Sequence, residues 1–393
     1  MIGAGIVGLA VARELGIRDE SARIAVIERE PAIAAHQTSH SSGVIHAGVY
    51  YEPGSLRARL CVAGAAELYE YCDRHGIEAR RTGKLIVATA EDEIARLDEL
   101  ERRGRENGVP GLRRLAGNEI SSIEPHATGI AALHSRATGV VDFAVVAASF
   151  AREVEAAGGA VVTGCAVTAV EADEAGAVVC HAGGATRAKA VVACAGAWSD
   201  RLALAAGAPA EPRIVPFRGG YLRLRPERDE LVRANIYPVP DPELPFLGAH
   251  LTRGPDNAVL LGPTALMVGA RDAYRPWRLR PTDLRETLAW SGTRRLVARH
   301  WRAGARELLH ASSRRAYVRA ARRLVPELRV SDFVAGPAGI RSQAVAADGT
   351  LVDDFVVSRI GSAVFVRNAP SPAATSALPL ARLIADELTY PLG

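Results

Sequence analysis

The chain opens with "MIGAGIVGLAVARELG" at residues 1–16. Gly3, Gly5 and Gly8 stand in the spacing G-x-G-x-x-G, and residues 9–16 place apolar side chains on one helical face before Gly16 closes the pattern. "ARIAVIERE" (22–30) then reads as a buried strand that ends at Glu28, twenty residues beyond Gly8. Glycines at such a turn let a pyrophosphate reach a helix N-terminus, and an acid at the end of the second strand accepts hydrogen bonds from ribose hydroxyls. The combination of turn, helix, strand and acid predicts a dinucleotide site. A first strand of about four to six residues should precede the turn, yet only Met1 and Ile2 stand before Gly3. That strand would be central and buried. The expectation is therefore a natural chain that starts earlier, an internal GTG valine codon having been taken as the start and written Met.

With 393 residues, the chain exceeds one simple core and predicts two domains, the second interleaved with the first. A hydrophobic share of 48% with 23% charged residues excludes disordered and fibrous classes. Only two of the 48 basic residues are Lys, Lys84 and Lys189, so 46 are Arg, a bias that reads as GC-rich codon usage. These are mixed with acids to a net charge of +4. A nucleic-acid groove would need a basic cluster with aromatic platforms, and none is present. Cys61, Cys72, Cys165, Cys180 and Cys194 form no CxxC pair and no zinc spacing, which predicts free thiols in a reducing compartment. No signal peptide precedes the glycines, and no apolar run reaches the roughly 18–20 residues of a membrane span. A cytoplasmic protein is expected, with peripheral contact at the inner face of the cell membrane left open.

Further along, "HQTSHSSGVIHAGVYYEPGSLRARLC" (36–61) reads as a polar loop that enters a helix near Ser55. "GKLIVATA" (83–90) is a strand, 91–108 a charged amphipathic helix, and 142–159 a helix capped by Asp142. Four short strands follow between 160 and 196: a small sheet, then a return to the main one. Residues 213–275 are strand-like with Pro and Gly breaks, 282–327 are helical, and 362–370 is a strand leading to a helix from about Ala373.

Two stretches address the cofactor. "AKAVVACAGAWSDRLA" (188–203) is an apolar strand ending in the small turn Ala195-Gly196, which permits close backbone approach to a dinucleotide. "NAPSPAATSALPLARLIADEL" (368–388) leads small residues and Pro into a helix whose positive end would stabilise negative charge on a reduced flavin. With "HSSGVIHAGVYYEPGSLRARLCVAGAAELYEYC", "VPFRGGYLRL", "YPVPDPELPFLGAHLT", "GPAGIRSQAV" and "VRNAPSPAATSALPLA", the chain resembles the L-2-hydroxyglutarate dehydrogenase/oxidase family, within the D-amino-acid-oxidase-like FAD superfamily. The likeness runs nearly the full length. One departure lies in "GPTALMVGARDAYRP" (262–276), where the family pattern leads us to expect Asn at Thr264 and an apolar-aromatic pair near Val268-Gly269.

The resemblance implies a Rossmann-like FAD-binding domain of the D-amino-acid-oxidase type, α/β, from residues 1–82, 139–212 and 331–393. An interleaved α+β mixed-sheet substrate domain would come from 83–138 and 213–330. It also implies oxidation of a small 2-hydroxy dicarboxylate, L-2-hydroxyglutarate, to 2-oxoglutarate by hydride transfer to FAD. Electrons would leave to a quinone or to oxygen, with no nucleic-acid partner.

Such chemistry needs a base for the hydroxyl proton and an Arg for a carboxylate. His46 in "GVIHAGVYY" is the first candidate base, its alternative being a loop His that never titrates. His250 in "PFLGAHLT" is the second, its alternative an ordinary strand polar residue. Arg341, after what reads as a Gly-Pro-Ala-Gly turn, is the candidate carboxylate clamp, its alternative a structural ion pair. Arg218 resembles a family position at the pocket wall. Tyr51 offers a phenol, and Gln343 is a weaker orienting group. For FAD the candidates are Gly3, Gly5, Gly8, Glu28 and Arg29 at the adenosine end, with Ser41, Ser42 and Gly43 by the pyrophosphate and ring. Val167 would meet adenine, Ala195, Gly196 and Trp198 form the second motif, and Ser371, Pro372, Ala373 and Ala374 open the last helix. No metal site is expected.

Other readings stay open at this point: an amino-acid or glycerol-3-phosphate oxidoreductase on the same fold, or a truncated remnant that binds nucleotide poorly. The absence of a G-x-S-x-G elbow and of a Walker-type phosphate loop excludes a Ser hydrolase and a P-loop enzyme.

Overall fold

The computed structural model describes residues 1–241 and 248–389. Six of the sixteen residues in "YPVPDPELPFLGAHLT", 242–247, lie outside the described residues. The nucleotide half is layered on a sheet in the order Ala160–Val162, Ala25–Ile27, Ile2, Val191–Ala193, Ala363–Asn368 and Val356–Ile360. All neighbours are parallel except the last pair. Ile2 sits in the middle as a single bridging residue. Its N–H donates to Val192 O (2.8 Å) and its carbonyl accepts from Cys194 N (2.8 Å).

Alternation along these short strands sends side chains to two cores. Val26, Val192, Val364 and Val366 face the helices Ile6–Arg18, Leu56–Arg74, Phe143–Ala156 and Ala377–Thr389. Ile27, Val191, Ala193 and Phe365 face the antiparallel sheet Val167–Asp173, Gly176–His181 and Gly184–Ala188, together with the helix Ser199–Ala205. The strand Gly184–Ala188 is exposed and weakly apolar, so hydrophobic patterning does not reveal it.

The second half is a nine-stranded mixed sheet. Lys84–Ala88 is central, flanked by Asn235–Pro238 in parallel and Ala131–Ser135 in antiparallel pairing. Alternation again divides the strand. Leu85 and Val87 join the core under the helix Arg314–Ala321, whereas Ile86 and Ala88 join that under Ile94–Glu106.

Three expectations are corrected. The Gly336–Gly339 stretch is no turn but the middle of the strand Phe333–Val345, paired along its length with Arg213–Leu224. That strand lies in the larger sheet although the sequence reading places it after the boundary at 331. The last helix starts at Ala377, not near Ala373. Pro370 and Pro372 each bias the residue before them away from helical angles, so 371–376 forms tight turns instead. Finally, the first helix runs through Gly16 to Arg18, because burial of Leu9, Ala10, Val11 and Ala12 outweighs the roughly 1 kcal/mol cost of one glycine.

Candidate active site

A cleft of about 640 Å³ runs between the two halves. Backbone shapes its first end. Gly3 has φ +95°, and a Cβ there would sit 2.4 Å from Cys194 O; a Cβ on Gly8 would sit 2.0 Å from Gly3 O. Only glycine closes this turn onto the neighbouring strand. Gly5 is the N-cap of Ile6–Arg18, and the first helical N–H, on Ile6, donates to Thr38 Oγ1 (3.1 Å). Glu28 is buried at its strand end, accepting from Ala4 N (2.8 Å) and Glu30 N (2.9 Å). Each oxygen thus keeps accepting capacity for a hydroxyl. Arg29 lies 4.1 Å over the Trp198 ring. Val167, Ala195, Gly196, Trp198, Ser41 and Ser42 line the same wall, and Ser371, Pro372, Ala373 and Ala374 line it further along. A glycine-shaped turn, a helix N-terminus and a buried carboxylate at the ribose position fit the adenosine diphosphate part of FAD.

Gly43 is off the wall. Its carbonyl accepts from Val141 N (2.8 Å) and a Cβ would strike Val141 O at 2.8 Å, so it shapes the junction of Val44–Ile45 with Gly139–Val141.

Side chains from distant elements build the other end. His46 follows the short strand Val44–Ile45. Its N–H donates to Thr375 Oγ1 (3.1 Å), and its Nε2 lies 3.4 Å from Ser371 Oγ. Burial inside the protein, then the charges of Lys84, His250 and Arg57, hold the imidazole well below its ordinary range. His250 stacks on Tyr237 at 3.9 Å and is placed to donate from Nδ1 to Gly248 O (3.0 Å), a tautomer that leaves Nε2 as acceptor. Burial lowers it to about 4; the Gly248 hydrogen bond opposes this and Lys84 reinforces it. Both rings are thus neutral near pH 7 and able to take a proton.

Arg341 faces Phe217 across the strand pair, and both line the cleft. The residue is exposed along the cleft, yet the protein packed around its guanidinium lowers it to about 10 against the opposing pull of Asp353. It remains charged, and its Nε donates to Gln343 Oε1 (3.1 Å). Gln343 also lines the cleft.

Of the catalytic candidates, Arg218 and Tyr51 do not line the cleft. Phe217, Gly219 and Tyr221 line the cleft whereas Arg218 does not, as the alternation of Arg213–Leu224 requires. Arg218 Nε instead donates to Tyr274 O (3.0 Å). Tyr51 adjoins the wall without lining it: the Arg57 guanidinium lies 4.7 Å over its ring, and its phenol, pushed up by burial, is hydrogen-bonded to the lining residue Ser371. The departure at Thr264 is structural as well as lining: Thr264 and Gly220 exchange hydrogen bonds, N–H to carbonyl and N–H to Oγ1, each 3.0 Å.

The sequence reading missed Thr38, His36 and His40, and also Lys84. Thr38 caps the fingerprint helix, a role invisible without knowing how the loop folds back. Lys84 carried a signal: a charge at the head of an apolar strand, in a chain with almost no Lys.

A dinucleotide cleft with neutral imidazoles and a cation at its far end suits an oxidoreductase acting on an acidic substrate. Residues 1–387 match the DAO family model, described as FAD dependent oxidoreductase. The human mitochondrial L-2-hydroxyglutarate dehydrogenase is 45% identical, the match covering 99% of this chain and 88% of that protein. L-2-hydroxyglutarate dehydrogenase of Indibacter alkaliphilus is 38% identical, over 98% and 97% respectively. Dithionite-reduced L-alpha-glycerophosphate oxidase from Mycoplasma pneumoniae with FAD bound shares the fold, with TM-score 0.79 at 21% identity over 99% of this chain and 94% of that one. The chain belongs to the FAD-dependent oxidoreductase family and, within it, to the family of the L-2-hydroxyglutarate dehydrogenases.

Proposed function

We propose that this enzyme oxidises L-2-hydroxyglutarate to 2-oxoglutarate. The observation that carries the reading is the placement of Arg341 and two neutral histidines at the end of the cleft away from the glycine turn. FAD, when bound, supplies the acceptor for the hydride that leaves C2. Gly3, Gly8, Glu28 and the N-terminus of Ile6–Arg18 hold its nucleotide part. Arg341 pairs with a substrate carboxylate, a charge-assisted contact that orients C2. His46 takes the hydroxyl proton, and His250 is the second candidate for that role. Loss of one proton and one hydride leaves the ketone, and two electrons leave the substrate.

The test is an anaerobic titration of purified enzyme with L-2-hydroxyglutarate, followed by flavin absorbance, with the D-enantiomer and a panel of amino acids as controls. Bleaching by the L-hydroxy acid alone is expected. Bleaching by an amino acid instead, or by none of these, overturns the assignment.

For the electron acceptor, the reading is a membrane quinone reached by peripheral docking at the inner face of the cell membrane. Support comes from the surface of residues 277–309. Of eleven exposed large hydrophobics among the described residues, seven lie there: Trp277, Leu279, Leu288, Val297, Trp301, Leu308 and Leu309. On the helix Ser291–Ser312, Val297, Trp301 and Leu308 recur at spacings of four and seven, beside exposed Arg295, Arg299, Arg302 and Arg306. Exposed aromatics flanked by arginines complement an anionic lipid surface. Flotation with vesicles containing phosphatidylglycerol should carry the enzyme, and Trp301→Ser with Leu308→Ser should abolish this while dye-coupled turnover stays unchanged. A change in oligomeric state with no vesicle binding would instead mean a contact between copies.

A further inference from the structure

Lys84 is the feature that neither the fold nor the proposed chemistry explains. In a chain where 46 of 48 basic residues are Arg, a Lys stands here. It is 2% exposed. Its Nζ lies 4.4 Å from the centre of the Tyr237 ring and 4.9 Å from that of Tyr50, and no carboxylate pairs with it among the described residues. By strand alternation it shares a face with Ile86 and Ala88, the face packed on residues 47–50. Tyr237 in turn stacks on His250, and the thiol of Cys61, which donates to His46 O (3.3 Å), is the remaining group close to the ammonium. The charge therefore sits behind both candidate bases.

We propose that Lys84 is a positioning residue of the oxidation: its buried charge, cradled by Tyr50 and Tyr237 behind His46 and His250, draws a doubly anionic substrate into the cleft and orients it toward those rings. This rests on the 2-hydroxy dicarboxylate reading above. Two rings satisfy an ammonium through their electron-rich faces without neutralising it, so its field reaches the cleft. A carboxylate partner would have cancelled that field.

Stability argues the same way. Burial lowers the ammonium to about 8, with Cys61 the small opposing influence. The folded state thus holds this proton less tightly than the unfolded chain. At neutral pH, where both states carry the charge, its burial costs stability, and the cost is relieved as pH rises from about 8 toward the free-lysine value near 10.4. A residue kept at a cost to stability beside a reactive site is more economically explained by function than by packing.

The groups that face this cluster are Tyr50, Cys61, Tyr237, His46 and His250, with Arg57 bearing on His46 and Cys61. Burial pushes the Tyr237 phenol and the Cys61 thiol up to about 12, and Tyr50 well above its ordinary value. Of this set, only Lys84 ionises near pH 8.

The experiment compares Lys84→Met, Lys84→Arg and the natural enzyme, each with FAD content and thermal midpoint recorded. Three results are expected for Lys84→Met: KM for 2-hydroxyglutarate rises roughly tenfold, the acid limb of kcat/KM moves to higher pH, and the midpoint is equal or higher. The natural enzyme should lose kcat/KM as pH passes about 8, where Lys84 discharges. Lys84→Arg should keep the neutral-pH activity and lose that alkaline limb. Unchanged KM and pH profile in folded, flavin-loaded Lys84→Met overturns the proposal. Should neither variant hold FAD, an alkaline limb absent from the natural enzyme overturns it alone. An enzyme inactive on every 2-hydroxy acid would instead refute the substrate reading on which this rests.

Discussion

The two ends of the cleft are built on different principles. The nucleotide end is made of backbone: a turn that excludes Cβ atoms at Gly3 and Gly8, a helix N-terminus, and one carboxylate about twenty residues further on. The reactive end is made of side chains brought by a loop (His46), a strand of the larger sheet (His250), the long strand Phe333–Val345 (Arg341) and a central strand (Lys84). Local geometry that only certain residues satisfy leaves a spacing in the sequence. Convergence of distant elements leaves none.

The largest expected effect is at the first end. Gly8→Val places methyl groups beyond a Cβ already 2.0 Å from Gly3 O, so the turn cannot close. Purified protein should lack the flavin absorbance altogether, and activity should fall to background. A yellow Gly8→Val protein would break the claim that backbone exclusion defines this end.

At the other end a side chain can be removed without dismantling its neighbours. Arg341→Met should retain FAD and lose about 10²–10³ in kcat/KM, the scale of one charge-assisted bidentate contact in a partly buried site. Flavin content measured beside steady-state kinetics separates the two ends directly. Loss of FAD in Arg341→Met would mean that they are one structural unit.

This contrast sets what could be read from sequence. The fingerprint, Glu28 and the 188–203 motif all landed on the cleft wall, because their positions follow from local turns and spacing. Arg341 lies on that wall too, although the turn at 336–339 for which it was chosen is a strand. Tyr51 and Arg218 missed the wall because a side chain's direction depends on strand register and packing, which spacing alone does not give. The strand Gly184–Ala188 was illegible for the opposite reason: it is exposed at a sheet edge, so no apolar alternation marks it.

The histidines sharpen the comparison. Both are held neutral by burial and by Lys84, so the ordinary imidazole ionisation near 6.5 should be missing from the pH profile of kcat/KM. Activity should persist to about pH 5 and fall only toward the His250 value of about 4, since protonation removes the acceptor. His46→Asn should cost about 10²–10⁴ in kcat and His250→Asn far less if His46 is the base, with the reverse order if it is His250. Because the unfolded chain would protonate both rings as pH drops below 6.5 while the folded one resists, stability should also decline across that range.

The smallest effect is expected at Arg218, the residue that family resemblance and strand geometry place differently. Its Nε holds the carbonyl of Tyr274, whose ring lies 4.1 Å from that of His40 and whose hydroxyl lies 3.0 Å from His36 Nδ1. Through that contact Arg218 fastens the 264–280 segment over the histidine loop without reaching substrate. Arg218→Ala removes one hydrogen bond from a half-buried charged donor, about 1–2 kcal/mol of local stability. It should change kcat/KM only a few-fold while Arg341→Met changes it a hundredfold or more. Equal losses for the two variants would mean that Arg218 swings into the cleft when substrate binds, and the alternation of Arg213–Leu224 would then describe only the resting enzyme. A small loss confirms that, of two arginines on paired strands, the one whose side chain follows the register into the cleft carries the recognition.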